Sequence, residues 1–361
     1  MQRDAMGQHI LRNIIYFCTP ENRPTGGIKY LLRHSHLING MADHNIASAI
    51  HVLSFPDFVP TWEVPFVHKR ENRFNPLTDL IVLPEIMVAQ TAPTLLRMGV
   101  RYAILLQNGF YIIRGKNTRE SQEPLYAGAL GIISTSDEIT STVKALFPHI
   151  ETPIFGINYA FDAATFSGHA EKRNLITYMP RKLGEHGHWV REFLSARDLR
   201  GWTVQPIDGL NEAGVVALLK TSRIFLSFSH MEGFGLPPVE AALLGNKVIG
   251  YTGIGGREFW KPPIFEEIEY SDFPAFAAAI EREIAQQTEH PERNAAFDLQ
   301  IAELAERYST ANELARLEAL HVSSRSGTMV SLSELVHTER VLEDKSIHHK
   351  NLMPVVYVTA D

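Results

Sequence analysis

Short β-branched runs alternate with amphipathic helical stretches along most of this chain, and that alternation limits its folds more than any other feature. Strands separated by helices join as right-handed βαβ units, and such units build a parallel sheet with helices on its faces. The runs Asn13–Cys18, Ile46–Leu53, Leu80–Leu83, Tyr102–Leu106, Ala129–Ser134 and Pro153–Gly156 predict strands. Gly27–Gly40 and Ser136–Phe147 predict two of the helices between them.

The pattern pauses after Asn158. Residues 159–174 are polar and aperiodic and read as a linker. A second series then begins: strands at Leu175–Met179, Trp202–Pro206, Ile224–Phe228 and Lys247–Tyr251, with helices at Gly184–Leu199, Asn211–Thr221 and Pro237–Leu244. A length of 361 residues exceeds what one core usually supports. The expected fold class is α/β: a Rossmann-like lobe over 1–158, the linker, and a second Rossmann-like lobe over 175–322. A ligand is expected at the strand carboxyl ends, in the cleft between the lobes. Helices are expected over Asp272–Gln287 and, unbroken, from Asn294 to about His321, the late helix crossing back to the first lobe. Residues 323–361 form a weakly patterned tail.

Charge separates the two halves. Residues 1–150 carry 14 Lys and Arg against 12 Asp and Glu, a net +2, whereas the rest carry 20 against 29, a net −9. An acidic chain makes nucleic acid a poor ligand. The single cysteine, Cys18, lies in an apolar run and reads as a buried, inert thiol. No apolar stretch approaches the roughly 20 residues of a spanning helix, and the first residues lack the apolar core of a signal peptide. The expectation is a cytoplasmic protein. The run Trp62–Phe74, with Lys69, Arg70 and Arg73, is the segment that could touch a membrane surface at the periphery.

The stretch with the most chemical content is IFLSFSHMEGFGLPPVEAALLGNKVIGYT, Ile224–Thr252. An apolar strand ends near Ser229 and enters a loop with Gly233 and Gly235, where the backbone can approach a ligand or take up positive φ. Pro237 and Pro238 open a helix, where their missing N–H groups cost nothing, and Gly245 caps its end. Strand, glycine loop and helix start together make an anion site. Prolines donate no hydrogen bond, so the loop N–H groups of Gly233, Phe234, Gly235 and Leu236 are left to hold phosphate. Carboxylates beside phosphate make electrostatic sense when they accept from hydroxyls. Glu232 and Glu240 therefore point to hydroxyl-rich groups on both sides of a diphosphate, a sugar and a ribose.

EGFGLPPVEA resembles the Glu-x7-Glu signature of GT-B glycosyltransferases of the retaining, family-4 type. The resemblance implies that Glu232 meets the donor sugar, Gly233–Leu236 the diphosphate and Glu240 the ribose diol. It implies further that Gly255 and Gly256, with Glu258, line the sugar pocket, and that Gly26 and Gly27 form the glycine loop after the first strand. Arg181 and Lys182, in LITYMPRK, take the place of the family's basic pair that neutralises the diphosphate.

On the acceptor side the chain departs from the family. Where many relatives supply a histidine from the first lobe, its strand ends read LPE and LLQN, which leaves Glu85, Gln107 and Asn108 as acceptor-side candidates. None of the sixteen histidines, His34, His36, His186 and His188 included, has metal-ligand spacing. No Asp-x-Asp occurs, so neither a metal nor another cofactor is expected. The implied activity is metal-independent transfer of a hexose-like unit from a nucleoside diphosphate sugar to a glycan, polysaccharide or lipid-linked hydroxyl. The alternatives are a nucleotide-sugar epimerase of the same architecture and a non-catalytic nucleotide-sugar-binding protein.

Overall fold

In the computed structural model, residues 11–21, 25–41, 46–52, 64–168, 170–290 and 295–319 are described, with the backbone of four short strands beyond them. The first lobe runs β1 (Asn13–Cys18), α1 (Gly26–Gly40), β2 (Ala47–Val52), β3 (Asp79–Pro84), α2 (Glu85–Met98), β4 (Arg101–Leu106), α3 (Arg119–Ala127), β5 (Ile132–Ser134), α4 (Asp137–Leu146) and β6 (Ile154–Gly156). Its six parallel strands are ordered β2-β1-β3-β4-β5-β6. The second lobe runs β7 (Leu175–Tyr178), α5 (Gly184–Ser195), β8 (Thr203–Pro206), α6 (Glu212–Thr221), β9 (Ile224–Glu232), α7 (Leu236–Leu243), β10 (Lys247–Ile254), β11 (Phe265–Glu267) and α8 (Phe273–Glu289). Its five parallel strands are ordered β11-β10-β9-β7-β8. Apolar runs with no polar alternation, such as the fully buried Asp79–Pro84, fit strands covered on both faces.

Two expectations about elements need correction. The late helix is not continuous. It divides into α9 (Ala295–Arg307) and α10 (Thr310–Glu318) because Ser309 takes an extended conformation and its side chain accepts from the N–H of Asn312, starting a new helix. Tyr308, at the break, is fully buried, and its carbonyl accepts from the N–H of Phe161. The strand ending near Ser229 instead extends to Glu232, alongside a β10 that runs to Ile254.

The expected crossing back is made by α10. The Glu313 carboxylate accepts from Arg33 Nε at 2.7 Å, and Arg316 donates to the Gly156 carbonyl and the Asn158 side chain. Residues 159–168 pack rather than merely connect: Tyr159, Phe161 and Phe166 are buried. Tyr159 lies between Tyr30 and Phe234, at ring-centroid distances of 4.4 and 5.3 Å.

Cys18 is fully buried, and burial pushes its thiol up to about 12. From Val64 onward the basic run packs along β2, with a bridge between Ile50 and His68 and Lys69 standing over the Phe74 ring. Trp62 lies outside the described residues, as does nearly all of the tail apart from four short strands that pair as two antiparallel ribbons. Among the described residues no helix is long and apolar enough to cross a membrane.

Candidate active site

Strand order fixes where a ligand can sit. Each sheet reverses direction once, between β1 and β3 in the first lobe and between β7 and β9 in the second. At such a reversal the loops leaving the two strands diverge and open a crevice at the carboxyl ends. Here the four loops face one another across a single cleft of about 410 Å³. Gly26 and Gly27 follow β1, Glu85 follows β3, Arg181 and Lys182 follow β7, and Gly233, Phe234, Gly235 and Leu236 follow β9; all of them line it.

Two cations stand on the second-lobe wall. Arg181 is exposed, and Lys182 is ion-paired with half-buried Glu232. Thus the two side chains expected to meet diphosphate and sugar hold each other in this structure. The glycines play different parts. Gly235 has φ of +91° and open space beside it, so it supplies the left-handed turn that starts α7. At Gly233 a Cβ would collide with the Gln107 carbonyl oxygen and lie 2.9 Å from the Asn108 Cα. Its glycine character is required by the first lobe's backbone, not by space for a ligand.

Side chains of the first lobe clamp this same loop. Asn108 Nδ2 donates to the Met231 carbonyl at 3.0 Å, and Ser136 Oγ donates to the Gly233 carbonyl at 2.6 Å. Met231 itself has φ of +49°. Gln107 Nε2 donates to the Gly27 carbonyl, and its Oε1 accepts from the Tyr159 hydroxyl at 3.4 Å. Glu85 is 6% exposed and accepts from the N–H groups of Gln107 and Asn108 at 3.2 and 3.1 Å. Burial nevertheless pushes its carboxyl up to about 7, because two neutral donors do not replace the lost hydration of a charge.

Other predicted residues lie outside the cleft lining. Gly255 and Gly256 are buried in the turn after β10; a Cβ on Gly255 would collide with the Gly233 backbone. Glu258 of that turn accepts from the Asp137 N–H, Arg307 and the Tyr308 hydroxyl, and so joins the second lobe to α4 and α9. Glu240 sits on α7 behind the loop, half-buried, in the field of Lys29 from α1. Tyr159, Tyr111 and Arg114 line the cleft without having been expected there. Tyr159 was hidden in the apparent linker. Arg114, over the Tyr111 ring at 4.9 Å, belongs to a basic turn after β4 whose placement depends on sheet order. Among the described residues no group of three or more His, Cys, Asp or Glu side chains is placed to hold a metal ion.

No protein-family model matches the chain, and no curated protein matches it by sequence. Solved structures do match. Sucrose-phosphate synthase from Thermosynechococcus elongatus superposes with a TM-score of 0.60 at 12% identity, covering 84% of this chain and 97% of that one. HepE from Anabaena, in complex with UDP, gives 0.61 at 13% identity over 84% and 98%. A glycosyltransferase from Rickettsia africae gives 0.59 at 11% over 85% and 96%. The chain has the GT-B fold. At these identities the likeness is one of architecture: two Rossmann-like lobes facing across a cleft, extended by C-terminal helices.

Proposed function

We propose that this chain transfers a hexose-like unit from a nucleoside diphosphate sugar to a hydroxyl acceptor on a glycan, polysaccharide or lipid-linked chain, with retention and without a metal. The observation that carries the reading is the Lys182–Glu232 pair beside the Gly233–Leu236 loop at the β7/β9 reversal. A diphosphate brought to the loop N–H groups takes over Lys182 as its counter-ion, with Arg181 beside it, and releases Glu232 toward the sugar. Cations fixed where the leaving diphosphate gains charge stabilise the transition state, and Glu232 offsets positive charge developing on the ring. For retention, the acceptor hydroxyl attacks from the side the diphosphate leaves, and a donor phosphate oxygen takes its proton. The acceptor meets Glu85, Gln107 and Asn108 on the opposite wall. The HepE structures with UDP, with UDP-glucose and with UDP and glucose make uridine donors the first to try. For a lipid-linked acceptor, Lys69, Arg70 and Arg73 are the membrane-facing contact of this reading.

The test is incubation with UDP-, GDP- and ADP-sugars, with and without an acceptor panel, in excess chelator. Acceptor-dependent release of nucleoside diphosphate supports the proposal, and retention is read from the product anomer. Conversion of the donor sugar without any acceptor would make the chain an epimerase. Binding without turnover on any acceptor would make it a binding protein, and activity restored only by magnesium or manganese would remove metal independence.

A further inference from the structure

Five rings form a connected row on the second lobe. Trp189 on α5 stacks on Phe273 of α8, with centroids 5.9 Å apart and planes 14° apart. Phe273 meets His186 at 5.2 Å, His186 meets Tyr270 at 4.9 Å, and Tyr270 meets His230 at 5.0 Å. The inner end adjoins the Lys182–Glu232 pair along both chain segments: His186 lies four residues after Lys182, and His230 two residues before Glu232. The His186 ring is held by a 3.0 Å hydrogen bond between its Nδ1 and the Tyr251 hydroxyl.

These rings are not a core edge. Trp189 is 52% exposed and Tyr270 49% exposed, the largest aromatic side chains left in solvent among the described residues. A contiguous exposed apolar surface on a soluble fold marks a contact site. Rings held by one another bind with little further loss of conformational freedom.

We propose that this ledge is a subsite for the extended part of a neutral glycan acceptor, whose sugar rings stack by their C–H faces on Trp189 and Tyr270. The proposal deepens the glycosyl-transfer reading and rests on it. Three observations choose the occupant. The ledge begins at His230, the residue after the cleft-lining Ser229, and the cleft's roughly 410 Å³ suits a small ligand, so a longer acceptor must lie on a surface outside it. Carboxylates neighbour the rings along the chain (Glu185, Glu192, Glu269 and Asp272), with Glu185 close enough to act on His186. Such carboxylates accept from sugar hydroxyls and repel phosphate, nucleic acid and anionic lipid. The cation at the inner end, Lys182, is already paired with Glu232. Arg191, on the same helix, is turned away to the Tyr178 hydroxyl.

The experiment titrates maltohexaose, cellohexaose and laminarihexaose into the full chain, following tryptophan emission and calorimetry, for wild type, Trp189→Ala, Tyr270→Ala and Tyr270→Phe. Binding of at least one hexasaccharide is expected, weakened about tenfold in both alanine variants and retained in Tyr270→Phe. UDP affinity is expected to be equal in all four proteins. Absence of binding to all three hexasaccharides overturns the proposal, as does equal binding by the alanine variants. Ring-dependent binding to phosphatidylglycerol vesicles in place of glycan would make the ledge a membrane contact, also overturning it. The glycosyl-transfer reading fails separately, by absence of turnover of any sugar nucleotide in the wild type.

Discussion

Lys29 of the first lobe reaches across to Glu212 of the second and forms an ion pair beside Glu240. Lys29 of α1 therefore lies near Glu240 of α7, the residue expected to meet ribose. Burial pushes the Glu240 carboxyl up to about 7, and the Lys29 charge opposes that rise. The Lys29–Glu212 pair is thus a contact between the two lobes. In Lys29→Met the Glu240 carboxyl should titrate higher than in wild type, as followed by carboxyl NMR. An unchanged or lower midpoint would mean that Lys29 does not face it. Both partners are about one-third exposed, so a double-mutant cycle on global stability should give no more than ~1 kcal/mol.

The two glutamates of the loop and helix should separate in binding experiments. Glu240→Ala should weaken donor and bare UDP alike, by roughly 1.5–3 kcal/mol. Glu232→Ala also releases Lys182, so bare UDP should bind at least as well as in wild type while turnover falls. Calorimetry beside initial rates reads both. Equal loss of UDP affinity in the two variants would refute the two-ended assignment.

The two loop glycines should fail for different reasons. Gly235→Ala places an ordinary residue at φ +91° in open space, a backbone strain of about 1–2 kcal/mol. Gly233→Ala drives a methyl into the Gln107 carbonyl. The lobes must then separate or strain by roughly 1–3 kcal/mol, and turnover should drop more than in Gly235→Ala. Thermal midpoints and turnover numbers for both variants test this ordering. Equal turnover would show that lobe contact at Gly233 is dispensable.

Glu85 should make stability depend on pH. Its carboxyl rises from an ordinary 4.5 to about 7 in the fold, so the native state holds this proton more tightly than the unfolded chain. The stabilisation from that proton is complete below about 4.5 and is lost as pH rises through about 7. Glu85→Gln, neutral at every pH, should flatten the decline and gain on wild type by roughly 3 kcal/mol between pH 4 and pH 8. Denaturant unfolding across that range measures it. Parallel curves for the two proteins would show that the buried carboxyl titrates normally.

Much of the architecture was legible from local pattern. The run Asn13–Cys18 is β1 residue for residue, and Gly26–Gly40 and Asp137–Leu146 match the expected helices within a residue. The α9/α10 break was missed because a serine inside a periodic stretch gives no strong stop. The burial of Tyr308 and its carbonyl bond to Phe161 become visible only when distant segments meet.

The sequence by itself determined the parallel α/β class, the glycine loop and its two flanking glutamates, because backbone freedom, proline placement and hydrophobic period are properties of neighbouring residues. Tertiary structure decided the rest. It made Gly233 a point of contact between lobes, paired Lys182 with Glu232, put Glu240 near Lys29, sent Glu258 to Arg307 and Tyr308, and turned an apparent linker residue, Tyr159, into part of the cleft. Each depends on which strand ends lie side by side. Strand order arises from packing across the whole chain, and no local run of residues encodes it.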